Sequence, residues 1–139
     1  MNQLFAYGTL RDPEYQAALF DRRLTARPAT LPDWTAVVAE NGYLTLVRAP
    51  GESAGGELLA LDDATLALAD AWEDVQYERL LLEVRDANGN RVPAFVYVRP
   101  TAARERAPAG MLANHPREHV LAAIARARAD YARTKSESA

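Results

Sequence analysis

At 139 residues, with 16 Lys and Arg against 19 Asp and Glu and a net charge of −3, the chain has the size of one domain and lacks the basic field of a general nucleic-acid surface. A composition of 49% hydrophobic and 25% charged residues is that of an ordinary globular protein, able to bury one core without staples. It contains no cysteine, which excludes disulfides, zinc ribbons and thiol nucleophiles and fits the cytosol.

The N-terminus shows no basic stretch, apolar core and small-residue cleavage site, so no signal peptide is expected. No apolar run approaches the roughly 20 residues that span a bilayer. Residues 2–6 read as a strand that runs into the glycine-bearing loop Tyr7-Gly8-Thr9-Leu10. Residues 13–20 read as a short helix, with Asp12 as N-cap and Pro13 at the first helical position, where its missing N–H costs nothing. Residues 23–38 alternate apolar positions broken by prolines, which suits irregular strands.

Residues 43–48 read as a strand, Pro50-Gly51-Glu52-Ser53 as a turn, and residues 54–61 as the next strand. Gly55-Gly56 inside it marks a bulge or a close backbone approach. Asp62 or Asp63 caps a helix to about Trp72, with Leu61, Thr65, Leu68 and Trp72 on one stripe. Residues 77–86 and 91–99 form a hairpin around Asn88-Gly89, and apolar residues on both its faces predict a hairpin covered on both sides. Residues 100–113 are a polar connection. Pro116 opens a last helix to about Arg133, with Val120, Ile124, Ala127 and Tyr131 as its core stripe. The expectation is one α+β domain over residues 1–133, its sheet curled into a small barrel, followed by a frayed tail over 134–139.

Two segments carry chemistry. A strand ending in a glycine loop leaves backbone N–H groups without ladder partners, and such groups can cradle a carboxylate or an oxyanion. Gly8 permits a positive φ and lets the backbone approach a ligand closely. The second segment is Asp70-Ala71-Trp72-Glu73-Asp74, at the end of a helical stretch. Helical spacing keeps Glu73 on the side that leans on the core, where desolvation and the negative end of the helix dipole both push its pKa upward. A carboxylate so tuned is a usable general base near neutral pH. Arg79 is expected in a structural ion pair, and Asp74 in solvent. His115 and His119 lie four apart but without an HExxH pattern, and read as two exposed polar residues at a helix start.

Tyr7-Gly8-Thr9-Leu10-Arg11, then Gly56-Glu57-Leu58-Leu59-Ala60-Leu61-Asp62, then Trp72-Glu73 and Tyr77-Glu78-Arg79, occur in one order and at one spacing. This pattern resembles the gamma-glutamylcyclotransferase-like superfamily, in particular its small bacterial and AIG2-like branch. The family pattern is a Tyr-Gly-Ser/Thr-Leu loop, then aspartate–aromatic–glutamate–glycine, then tyrosine-x-arginine. The resemblance implies a small mixed β-barrel with flanking helices. It implies loop donors at Tyr7, Gly8, Thr9 and Leu10 that hold the glutamyl part of a substrate, and an acid/base glutamate at Glu73. The implied reaction cyclises a gamma-glutamyl group to 5-oxoproline and releases an amine or amino acid, with no cofactor, metal, nucleic acid or membrane partner, in a cytoplasmic monomer or homodimer. Asp74 stands where the family has glycine, and Trp72 replaces a tyrosine or phenylalanine. A non-catalytic module that binds a glutamyl or other carboxylate ligand, or a partner-binding domain on the same fold, is the alternative.

Overall fold

Alternation along the strands sets up the architecture. In the computed structural model, which describes residues 1–138, Leu4 and Ala6 of β1 (Asn2–Ala6) face one hydrophobic cluster while Phe5, and Tyr7 just beyond it, face another. The second cluster fills the inside of a closed barrel whose strand order is β1-β3-β2-β4-β5. The strands are β2 (Ala26–Val38), β3 (Leu44–Leu61), β4 (Glu78–Asp86) and β5 (Arg91–Val98). Antiparallel pairs make up the barrel, and one parallel contact, Leu4 with Phe95, closes it. The first cluster lies between the barrel and three helices, α1 (Pro13–Phe20), α2 (Asp63–Glu73) and α3 (Arg117–Ser138). No helix among the described residues is long and apolar enough to cross a membrane.

The local signals work where they are strongest. Asp12 accepts from the N–H groups of Glu14 and Tyr15 ahead of α1, and Asp62 accepts from Thr65 N–H ahead of α2. In the hairpin, the Asp86 carboxylate accepts from the N–H groups of Asn88 and Asn90. Gly56 sits in unbroken register with Ala29, so it marks no bulge. A Cβ there would lie 2.4 Å from the Ala6 carbonyl oxygen, and the close approach of β1 is what requires glycine.

Four expectations change. Pro50–Ser53 does not separate two strands: β3 is continuous, and the extra residues bulge against Asp33, whose φ is +70° and whose carboxylate accepts from Gly51 N–H. Residues 26–38 likewise form one long strand. The hairpin is covered on both sides only along β5; on β4 the outer face meets solvent, with Leu81 64% exposed. Helix α3 runs past Arg133 to Ser138, and Ala139 lies outside the described residues.

Helix α3 is tied to α1 at two places. Arg117 pairs with Asp12 at 2.7 Å and Glu14 at 2.6 Å, and Arg128 grips both Asp21 oxygens at 2.7–2.8 Å and the Ala18 carbonyl at 3.0 Å. Val120 and Ile124 are buried beneath it. The next stripe positions, Ala127 and Tyr131, are not buried against protein; they face a cavity.

Candidate functional site

That cavity has a volume of about 540 Å³ and is bordered by the end of β1 and the loop after it, the start of β3, the end of α2 and one side of α3. Tyr7, Gly8, Thr9, Leu10 and Glu73 all line it. The two distant segments singled out in the sequence therefore meet in one hollow.

The loop is a single 3-10 turn over Thr9–Arg11, entered through Gly8. Arg11 N–H donates to Gly8 O and Asp12 N–H to Thr9 O, at 3.0 and 3.2 Å. The first N–H groups of such a turn have no partner inside it. Gly8 does not use a left-handed conformation, since its φ is −133°. Glycine instead eases a tight fit: a Cβ would lie 3.3 Å from Leu112 O and 3.5 Å from Leu44 Cβ. Gln16 of α1 fixes the far end of the loop, with Nε2 donating to Leu10 O at 2.8 Å and Oε1 accepting from Leu24 N–H at 2.9 Å. At 2% exposure it is a buried amide with both ends used. Sequence reasoning passed over it; a lone amide in the apolar run Tyr15–Phe20 was the available signal.

Glu73 is the last residue of α2 and is half-buried at the cavity wall. Among the described residues its carboxyl has no hydrogen bond or ion pair. Burial raises its pKa from 4.5 to about 8, and the neighbouring Asp70 carboxylate adds to the rise. A like charge thus adds to the burial that the sequence suggested. Asp70 itself is well partnered: Arg79 Nη1 donates to it at 2.8 Å and Tyr97 Oη at 2.6 Å. Arg79 thus makes the expected ion pair and also lies over the Phe95 ring at 4.5 Å.

Beside Tyr43, the phenols of Tyr7, Tyr77 and Tyr97 lie around this acid. Burial, then the Glu73 charge, pushes Tyr7 well up, and its hydroxyl donates to the Tyr97 carbonyl. Burial lifts Tyr77 to about 12, and it donates to Leu44 O at 3.0 Å. Burial and the bond to Asp70 raise Tyr97. All three stay protonated around neutral pH, so the site presents hydroxyls and one proton-holding carboxyl.

Asp74 is exposed, as expected, at the cavity edge. Its backbone holds φ +56° and ψ −162°, a region that only glycine occupies without strain. That conformation gives a physical reason for the glycine that the resemblance places here. His115 differs from its expectation. It precedes α3, is half-buried, stacks on His119 at 4.1 Å, leans on Tyr43 at 4.7 Å, and places Nε2 2.8 Å from Asn41 O. Among the described residues no group of three or more His, Asp or Glu side chains is arranged to hold a metal ion.

A closed five-stranded barrel with three flanking helices, a glycine-bearing loop after its first strand and a half-buried glutamate at the end of its second helix is the gamma-glutamylcyclotransferase-like fold. The family model "Gamma-glutamyl cyclotransferase, AIG2-like" matches residues 4–115, and the chain belongs to this family. It is 28% identical over 102 residues to AIG2-like protein D of Arabidopsis thaliana, covering 70% of this chain and 67% of that protein. A crystal structure of an AIG2-like protein from mouse superposes with a TM-score of 0.62 at 26% identity, covering 85% of this chain and 97% of the other. A structure described as gamma-glutamyl cyclotransferase superposes at 0.60 and 17% identity, over 72% of this chain and 67% of that one, and speaks for the fold alone.

Proposed function

We propose that the chain is a gamma-glutamylcyclotransferase-type enzyme that converts a gamma-glutamyl compound into 5-oxoproline and a free amine or amino acid. The supporting observation is that Glu73 and the Tyr7–Leu10 turn border one cavity of about 540 Å³, large enough for a small gamma-glutamyl compound.

In this reading the turn's free N–H groups receive the γ-carbonyl oxygen and stabilise it as it becomes an oxyanion. The ionised form of Glu73 takes a proton from the substrate α-ammonium. The amine then attacks the γ-carbonyl carbon of its own molecule, and the new C–N bond closes a five-membered ring. Tethering of nucleophile and electrophile supplies much of the acceleration. The protonated Glu73 gives its proton to the departing nitrogen as the old C–N bond breaks. Two protons leave the α-nitrogen in all, and two reach the leaving nitrogen when it departs as an ammonium, so Glu73 ends as it began. Its pKa of about 8 suits a group that must both accept and donate. The Tyr7, Tyr77 and Tyr97 rings exclude water and hold the substrate chain.

The test is a mass-spectrometric screen of gamma-glutamyl compounds for release of 5-oxoproline by the wild-type protein and by Glu73→Gln. Release by the wild type alone is the expected result. Release by neither, or equally by both, overturns the reading.

A further inference from the structure

The barrel closes between β2 and β4 through two residue pairs, Ala29 with Asp86 and Thr30 with Arg85. Past them β2 goes through its bulge at Pro32–Trp34 and meets the chain after β5 instead, where Val37 bridges Arg106 and Ala107 N–H donates to Ala36 O at 2.8 Å. Among the described residues, Glu78–Val84 therefore pairs along one edge alone, with Val92–Val98 of β5. A free edge offers a row of N–H and C=O groups to another strand, and native proteins blunt such edges with lysine, proline or bulges. Glu78–Val84 has no lysine or proline, and its register with β5 is unbroken. At its middle Leu81 is the exposed apolar residue noted above, paired across the sheet with Phe95.

The edge reads Arg79-Leu80-Leu81-Leu82-Glu83, and it is complementary to itself. An antiparallel copy laid beside it, with Leu81 opposite Leu81 of the second copy, sets Arg79 opposite Glu83, Glu83 opposite Arg79, and Leu80 opposite Leu82. Period-two alternation puts Arg79, Leu81 and Glu83 together on the outer face. Sliding the copy by two residues sets Arg79 opposite Leu81 or, in the other direction, opposite Arg85, and both ion pairs are lost. Arg79 gives Nη1 to Asp70 at 2.8 Å, and Glu83 lies 3.5 Å from Arg91 Nε. A guanidinium has further N–H groups to give.

We infer that the free edge of β4 is an interface between two copies of this chain, joined antiparallel about Leu81 into one continuous sheet with twofold symmetry. In the pair, Leu81 and Phe95 of each copy form one apolar stripe across the outer face, with an Arg79–Glu83 pair on either side of the axis. An interface of about five residues a side is smaller than the roughly 1,200 Å² of a tight complex, so the dimer is a reversible one. The inference does not depend on the cyclotransferase reading.

The chain has no cysteine, so single introduced thiols report the register. Across the axis the two Cβ atoms at position 81 lie about 4.5–5.5 Å apart, near the separation in a disulfide, whereas those at position 83 lie about 14 Å apart. Leu81→Cys, Glu83→Cys and, as a collision control, Val75→Cys at the 93% exposed Val75 are oxidised with copper–phenanthroline. Leu81→Cys is expected to give the linked dimer at least about tenfold faster than the other two. Sedimentation equilibrium of the wild type should show the dimer fraction rising with concentration up to about 1 mM. Leu81→Glu places two like charges on the axis at an already exposed position, and should weaken association at least about tenfold while circular dichroism shows the barrel intact. A wild type that stays monomeric up to about 1 mM overturns the inference and leaves the edge to a strand of another protein. Association unmoved by Leu81→Glu, or linking of Leu81→Cys no faster than of Val75→Cys, overturns it as well. Faster linking at position 83 than at 81 overturns it too, since the copies then meet in another register.

Discussion

Replacing Glu73 by Gln should cost the protein its chemistry and raise its stability, because the carboxyl is held in a place that disfavours its charge. Below pH 4.5 the group is protonated in the folded and unfolded chain alike and makes no difference between them. Between 4.5 and about 8 the unfolded chain releases a proton that the folded chain keeps. Unfolding is then favoured by about 1.4 kcal/mol for each pH unit crossed. Over the whole interval the folded wild type loses about 5 kcal/mol, and about half that where water at the cavity mouth screens the carboxylate. Glutamine keeps the shape and never ionises. Urea unfolding of both proteins from pH 4 to 9 should show Glu73→Gln gaining about 2–5 kcal/mol on the wild type as pH rises, with most of the gain complete by pH 9. In parallel, wild-type kcat/KM should climb with pH towards a plateau above about 8, and the variant should lose at least about 100-fold in turnover. A stability difference that is flat with pH would mean that Glu73 is not desolvated, and would remove the physical basis for its role.

Gly8→Val should lower kcat/KM about 100-fold or more, since its side chain would push the turn off the Leu112 carbonyl; steady-state kinetics beside a circular-dichroism melt checks this, and wild-type kinetics would make the loop only a turn. Asp74→Gly should raise stability by about 1 kcal/mol, the relief of left-handed strain less the added freedom of glycine in the unfolded chain. A lower melting temperature would show that the Asp74 side chain holds something in place. Asp70→Asn should move the rising limb of the pH–rate profile to lower pH, because the like charge beside Glu73 is gone, and should cost about 1 kcal/mol through the weakened bonds to Arg79 and Tyr97. An unmoved limb would exclude Asp70 as a source of the Glu73 shift.

What could be read from the sequence was local. Asp12-Pro13, Asp62 and Asn88-Gly89 each specify a cap or a turn through bonds within a few residues, and the structure contains all three. The barrel and the meeting of Tyr7–Leu10 with Glu73 came through the resemblance, because nothing local brings residues so distant together. Pro50–Ser53 carries every mark of a turn, yet pairing with β2 absorbs it as a bulge, and that pairing is a long-range matter. The stripe on α3 was found, but its meaning was not. Periodicity says that Ala127 and Tyr131 face inward, and it is silent on whether protein or a hollow lies there. The tight fit at position 8 was equally invisible, since it depends on the Leu112 carbonyl arriving from the loop ahead of α3.

Asp70 and Glu73 show how two acids on one helix face meet opposite environments. Asp70 has a guanidinium and a phenol as partners. Glu73 has neither, and keeps its proton instead. Divergent environments of this kind are how a fold assigns acid and base roles near neutral pH. In the cyclotransferase reading proposed above, the missing countercharge beside Glu73 has the sign of the substrate's α-ammonium. When that cation enters the cavity it supplies what the protein withholds, favours ionisation of the carboxyl, and so creates the base at the atom that must be deprotonated. In that reading, the desolvation that penalises Glu73 in the empty site is turned into selection for a compound with a free α-amine.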